Sequence, residues 1–295
     1  MFDALQLAFT QSLVTWKFVG LVYLIGLLLE RLYRAERDQP WQHIAFNIGY
    51  TLVFIFLTHL LVPPLAAITA PWIAEYGGWL AISLPNGLGW QLLQGLLFFF
   101  CFDFFYYWLH RLQHVSPWLW AQHKLHHAER SVNVTTGQRH HWLEEPLRVF
   151  LVFLPFGMIF AISPPTITWL WSLLLLWGYL IHLNLRISLG PLSRVFTGPQ
   201  VHRLHHSIKP EHTDVNFAAF FPVWDILFGT YVAPKRDEWP ATGLHSGEDL
   251  NHPFSAMFSP FRDWWGMLSR SPKKSEAIKS EAIKSAPIKP STSKS

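Results

Sequence analysis

Five apolar stretches govern what this chain can become: residues 13–29, 44–68, 88–109, 147–162 and 166–187. A helix needs about 20 apolar residues to cross a bilayer core. The chain is 51% hydrophobic and only 14% charged, with a mean hydropathy of +0.20. Soluble domains carry about 25% charged residues, so a soluble globular protein and a disordered main body are both excluded. The fourth stretch is short, and only Ser163, Pro164 and Pro165 separate it from the fifth. That pair reads as a helical hairpin or a half-re-entrant pair. The expected fold is an all-α integral membrane protein. It has about four to five transmembrane or re-entrant helices and a cytoplasmic His-rich helical cap.

The charges give this fold a direction. Of 23 Lys and Arg residues, 22 fall in segments 30–42, 110–148 and 186–295, and the exception is Lys17. Residues 1–12, 70–86 and 161–167 hold none. The positive-inside rule then puts the N-terminus outside and all basic loops on the cytoplasmic face. Trp72, Trp79 and Trp90 suit an aromatic belt near the outer loop. The Lys and Arg residues form no compact stripe, so the pI of about 9.2 does not point to nucleic acid. The N-terminus lacks the charged start and cleavage site of a signal peptide. A single cysteine, Cys101, excludes an intramolecular disulfide and a cysteine-based metal cluster.

Residues 1–270 read as one membrane domain, with 188–260 as a cap of short strand-like or irregular pieces. Residues 271–295 repeat SEAIK, SEAIK, SAPIK and are rich in Lys and Ser. They read as a disordered, solvated tail.

The chain holds 16 histidines, and 11 lie between His110 and His206. His110 and His114 form H-x3-H. His123, His126 and His127 form H-x2-H-H, and His202, His205 and His206 form a second one. His140 and His141 are adjacent, and His182 ends the fifth stretch. On a helix, residues i, i+3 and i+4 are neighbours, so each cluster is expected to aim its imidazoles at one point. Neutral imidazole ligates Zn, Cu, Fe or Ni. The three clusters supply eight ligands, and His182 and His141 extend the set to ten. One tetrahedral zinc takes four, so two metals are expected. His140 is the expected bystander of its pair. His43, His59, His212, His245 and His252 are expected to take no part.

These residues resemble a known family. Asp103 through His110 and His114, then His123, His126 and His127, then His202, His205 and His206, are similar to the fatty acid hydroxylase/sterol desaturase superfamily. Asn133, Arg139, His141, Glu144, His182, Asn184 and the segment Trp224 to Tyr231 extend the likeness, which covers about residues 95–232. It implies a membrane-bound, O2-dependent di-iron oxidoreductase of the monooxygenase type. Such an enzyme hydroxylates or desaturates a fatty acyl or sterol-like lipid. The implied iron ligands are His110, His114, His123, His126, His127, His182, His202, His205 and His206, with His141 as a tenth. Trp142 stands where related sequences often have proline. The chain carries no fused cytochrome b5-like module, so the implied electron donor is external, of ferredoxin or cytochrome b5 type with a reductase.

Residue chemistry agrees with that class. An unactivated C–H bond offers no acid–base handle, and its oxidation calls for a redox metal with O2. Asp103, Glu144 and Asp225 are candidate acceptors for the outer imidazole N–H groups, and Asn184 is a candidate to orient a metal-bound water. The irons are expected between the cytoplasmic ends of the third and fifth stretches and the cap. Phe104, Tyr107, Trp108 and Trp120 are expected to wall the lipid channel. The alternative is a transition-metal-binding membrane protein or transporter without oxygenase activity. A transporter needs polar residues along its path, and Asp103 is the one acid deep in an apolar stretch. A zinc hydrolase of the H-E-x-x-H type lacks its motif here.

Overall fold

A computed structural model describes residues 2–81, 87–161 and 164–269. Three described helices are long and apolar enough to cross a membrane: α1 (Phe2–Leu29), α2 (Trp41–Tyr76) and α3 (Leu88–Val115). All three outrun the expected stretches. In lipid the backbone must satisfy its own polar groups, so a helix persists until it reaches water. α2 accordingly continues through Pro63, Pro64 and Pro71 to Tyr76. Large apolar side chains such as Leu21, Leu24, Val53 and Leu96 remain exposed along these rods, a surface suited to lipid and not to water.

A two-residue strand β1 (Leu80–Ala81) precedes α3, and α4 (Pro117–His127) follows it across Ser116. A 3-10 turn, Val134–Gln138, is then capped by Asn133, whose side chain accepts the Thr135 N–H. The fourth stretch is not one rod. It divides into α5 (Glu144–Arg148), a π-helical turn (Val149–Phe153) and α6 (Leu154–Ile159). Pro155 has no N–H to give the carbonyl four residues back, and the helix widens just before it, with Leu154 N–H donating to Val149 O. Strand β2 (Phe160–Ala161) ends this segment and pairs in parallel with β1, Leu80 opposite Phe160. Gly157 lets α6 approach α2 closely, since a Cβ there would meet Ile73 Cδ1 at 2.8 Å. The α2–α3 and α6–α7 connections therefore meet at one end of the molecule, α7 being Pro164–Ile181.

The other end carries the cap. It contains α8 (Pro199–His205), α9 (Val223–Leu227) and α10 (Pro253–Ser269), joined by irregular chain and short 3-10 turns. The segment 216–231, expected to be partly strand-like, forms α9 and irregular chain. Val19, Tyr23, Tyr50, Phe54, Leu125, Val134 and Tyr179 build a core that ties α1, α2, α4 and α7 together beside the cap. Phe98, Phe102, Val152 and Phe156 pack α3 against the π turn and α6. The Lys/Ser-rich tail, 271–295, lies outside the described residues.

Candidate metal centre

Each H-x2-H-H motif divides its histidines between two points. Residues i, i+3 and i+4 cover about 100° of helical arc, too wide for three short rings to share one focus. His123 and His127 of α4 join His110 and His114 of α3 and His205 of α8 in a group of five. His202 and His206 belong to the other group with His126 of α4 and His182, the residue after α7. α4 and α8 thus each lend one histidine to the group the other dominates. This corrects the expectation that each cluster converges on a single point.

Inside each group the Nε2 atoms face one another. His114 and His127 approach to 3.1 Å, and His127 and His123 to 3.3 Å. In the second group His182 lies 3.1 Å from His126 and 2.9 Å from His202, and His202 lies 3.1 Å from His206. Bonds of 2.0–2.1 Å to one ion put neighbouring ligand atoms about 2.9–3.4 Å apart. The Nε2 atoms of His110 and His205 are buried with no hydrogen-bond partner among the described residues. A cation at each focus satisfies all of these lone pairs.

The outer nitrogens of five rings have partners, while Nδ1 of His126, His202 and His206 is buried without one among the described residues. His110 Nδ1–H donates to Phe217 O at 2.7 Å and His205 Nδ1–H to Val215 O at 2.8 Å. His182 donates to Gly178 O. His123 Nδ1 sits 3.4 Å from both Glu144 oxygens, and His114 Nδ1 lies 3.3 Å from Asp214 Oδ1. Such partners fix the tautomer and leave Nε2 as the bare acceptor. Burial pushes His205 down to about 3. Burial and neighbouring imidazoles hold His126, His127, His202 and His206 well below the ordinary histidine value. Neutral imidazole is the ligating form. For Glu144 burial works to raise the carboxyl, but His123 and His140 overcome it and hold it well below its usual range.

His141 stands apart from both groups. Its Nε2–H donates to Met257 O at 3.0 Å and its Nδ1 accepts the Leu143 N–H at 3.3 Å, so both ring nitrogens are engaged. His140, the expected bystander, stacks on His126 with ring centroids 4.3 Å apart. Its Nδ1 lies 3.3 Å from Glu144 Oε2, and it forms a third grouping with His123 and Glu144.

Of the three candidate acceptors, Glu144 meets an imidazole directly. Asp103 instead accepts the N–H groups of Ala219, Phe220 and Phe221. Asp225 accepts those of Phe217 and Ala218 and the Thr230 hydroxyl. Both carboxylates hold segment 215–221, and that segment's carbonyls orient His110 and His205. Asn184 clamps Glu36, accepting its N–H at 2.9 Å and donating to its carbonyl at 2.8 Å. It is not aimed at either group.

Sequence reading gave no role to two other supports. Glu30 Oε1 accepts the N–H groups of Val134 and Asn184, tying the end of α1 to both sides of the site. Arg139 is wholly buried and donates to Leu125 O, Asn47 and Asn251, with Glu129 3.3 Å away. An acid directly after an apolar stretch, as Glu30 is, was the available signal. The backbone carbonyls carry none.

A cavity of about 660 Å³ reaches the histidines from the membrane side. His110, His126, His182 and His202 lie at one end, and Val19, Phe54, Phe102, Tyr106, Phe153 and Leu175 form apolar walls. The expected channel aromatics sit elsewhere. Phe104, Tyr107 and Trp108 point to the opposite face of α3, against Trp224 and Phe228. Trp120 borders a smaller cavity of about 290 Å³ beside His114.

Fold and site together define an all-α membrane protein whose helices gather nine imidazoles into two adjoining groups. The fatty acid hydroxylase family profile matches residues 95–230. The chain belongs to the fatty acid hydroxylase/sterol desaturase superfamily. It is 33% identical to alkylglycerol monooxygenase of Xenopus tropicalis over 65% of this chain and 40% of that protein. It is 30% identical to a Delta(7)-sterol 5(6)-desaturase of Gibberella zeae over 79% of this chain and 66% of that protein. An ornithine lipid hydroxylase of Rhizobium tropici is 29% identical over 53% of this chain and 46% of that protein. The chain spans 36% to 47% of the length of the alkylglycerol monooxygenases it matches. No solved structure matches it.

Proposed function

We propose that this protein is a membrane-bound di-iron oxygenase that hydroxylates a lipid, with desaturation and ether-bond oxidation as variants of the same chemistry. The observation that carries this reading is the pair of imidazole groups at the end of an apolar cavity. His110, His114, His123, His127 and His205 would hold one iron, and His126, His182, His202 and His206 the other. Five imidazoles at one focus exceed the four ligands zinc takes, which favours iron. The bound iron pair supplies O2 activation and oxidation of a C–H bond.

The chain's own residues do the rest. Phe217, Val215 and Gly178 carbonyls, with Glu144 and Asp214, hold the rings of His110, His205, His182, His123 and His114 so that their Nε2 atoms face their focus. Phe102, Tyr106 and Phe153 exclude water and confine the lipid chain. The substrate enters laterally from the inner leaflet, and electrons come from an external ferredoxin or cytochrome b5 type donor with its reductase. The basic loops at the histidine end support a cytoplasmic site and an external N-terminus.

The test is lipid mass spectrometry of the purified protein with reductase under 18O2. One labelled oxygen in a lipid product is expected. No O2-dependent change in any lipid contradicts the reading.

A further inference from the structure

The cavity is lined by the polar residues Gln138, His140, Glu145 and Arg148, and it has a second polar stretch of wall on α1 and α2. His59 stands at the middle of α2 and Thr15 at the middle of α1, and both line the cavity with Thr58 and Pro63. Phe54, whose ring lies 6.2 Å from that of His140, marks the cap end of the cavity. His59 is five residues further along α2, roughly 7.5 Å at 1.5 Å per residue.

The hydrogen bonds there fix what the wall offers. Thr15 Oγ1–H donates to Gln11 O at 3.3 Å, so its oxygen accepts from His59 Nε2–H at 3.0 Å. The Nδ1 of His59 is then a bare acceptor, with no partner among the described residues. Thr58 Oγ1 also has no partner there. Threonine populates two χ1 rotamers in a helix, and one step between them exchanges its methyl and hydroxyl at the wall.

A bond between α1 and α2 accounts for Thr15 and for His59 Nε2. It accounts for neither Nδ1 nor Thr58. A wall that met only methylene groups would be better made of leucine, because an unpaired polar group in hydrocarbon is costly. A hydroxyl satisfies both groups at once, accepting from Thr58 and donating to His59 Nδ1. A carbonyl satisfies only Thr58.

We propose that the cavity takes a lipid bearing a hydroxyl partway along its chain, recognised by Thr58 and His59. The proposal rests on the cavity being the substrate site, and it names the substrate class.

Lipid retention tests it without turnover. The delipidated, metal-loaded protein is incubated with a stearoyl lipid and its mid-chain hydroxystearoyl counterpart, and bound lipid is read by native mass spectrometry. The wild type should prefer the hydroxylated lipid about tenfold, the worth of one to two net hydrogen bonds. Thr58→Val, which keeps the side-chain shape, should reduce that preference. His59→Leu should abolish it, with stearoyl binding and metal content unchanged in both. Equal retention by the wild type, or a preference that survives both substitutions, overturns the proposal. A preference without any oxidised product from either lipid would count against the oxygenase reading and leave this proposal standing. Oxidation of both lipids without preference would do the reverse.

Discussion

His126 and His127 are neighbours on α4, yet their rings lie 88° apart and face different imidazole groups. One helix therefore braces both centres. His126→Ala should strip metal chiefly from the group of His182, His202 and His206. His127→Ala should strip it chiefly from the group of His110, His114, His123 and His205. Iron quantification with Mössbauer spectroscopy checks this, and both variants should still insert and lack turnover. Identical spectra from the two variants would contradict the division.

His140 and His141 should behave oppositely to their expected roles. His141→Ala loses hydrogen bonds to Met257 and Leu143, a stability loss of about 1 kcal/mol, and should keep its metal and its turnover. His140→Ala removes the ring stacked on His126 and a partner of Glu144, and should lower turnover by about tenfold, the usual lower scale for outer supports of a metal site. Loss of iron from His141→Ala alone would restore it to the ligand set.

Asp103 acts on the site through segment 215–221. Asp103→Asn halves its accepting capacity and leaves at least one of three buried N–H groups unpaired, at about 1–3 kcal/mol. Thermal unfolding should shift down, and iron should leave faster from the group containing His110 and His205 than from the other. Equal loss from both groups would assign Asp103 to general stability.

Glu30 sets a pH dependence of known sign. Burial raises its carboxyl to about 6, against an ordinary value of 4.5. The folded state thus holds this proton more tightly than the unfolded one. Its stabilising contribution is complete below about pH 4.5 and is lost as pH rises through 6, by about 2 kcal/mol at 1.36 kcal/mol per pKa unit. Glu30→Gln keeps an acceptor for Val134 and Asn184 and should remove this step from the pH profile of the unfolding midpoint. A wild-type profile that rises between pH 4.5 and 6.5 and is unchanged by the substitution would contradict it.

The sequence made the helices and the nine converging histidines legible because both depend on local rules, apolar length and helical spacing. It did not separate His126 from His127, because i, i+3 and i+4 look alike until the partners on α3, α7 and α8 are placed. His140 rather than His141 lies against His126, and for a similar reason: the pair follows an irregular turn, where no periodicity tells which ring points inward. Asp103 and Asp225 were expected to accept from imidazoles, but they accept backbone N–H groups that no sequence displays. The expected channel aromatics lie further round α3, by about 100° from Tyr106 to Tyr107 and about 200° from Phe102 to Phe104. Phe102 and Tyr106 face the cavity where Phe104 and Tyr107 were expected. The fourth apolar stretch looked continuous because Pro155 ends no stretch by composition, although it breaks the helical hydrogen-bond ladder.

The most direct test is the metal content of the purified protein, measured by inductively coupled plasma mass spectrometry against quantitative amino-acid analysis. The two imidazole groups predict two irons per chain, with both lost when each group loses a ligand, as in His126→Ala combined with His205→Ala. One zinc per chain and no iron would contradict the account.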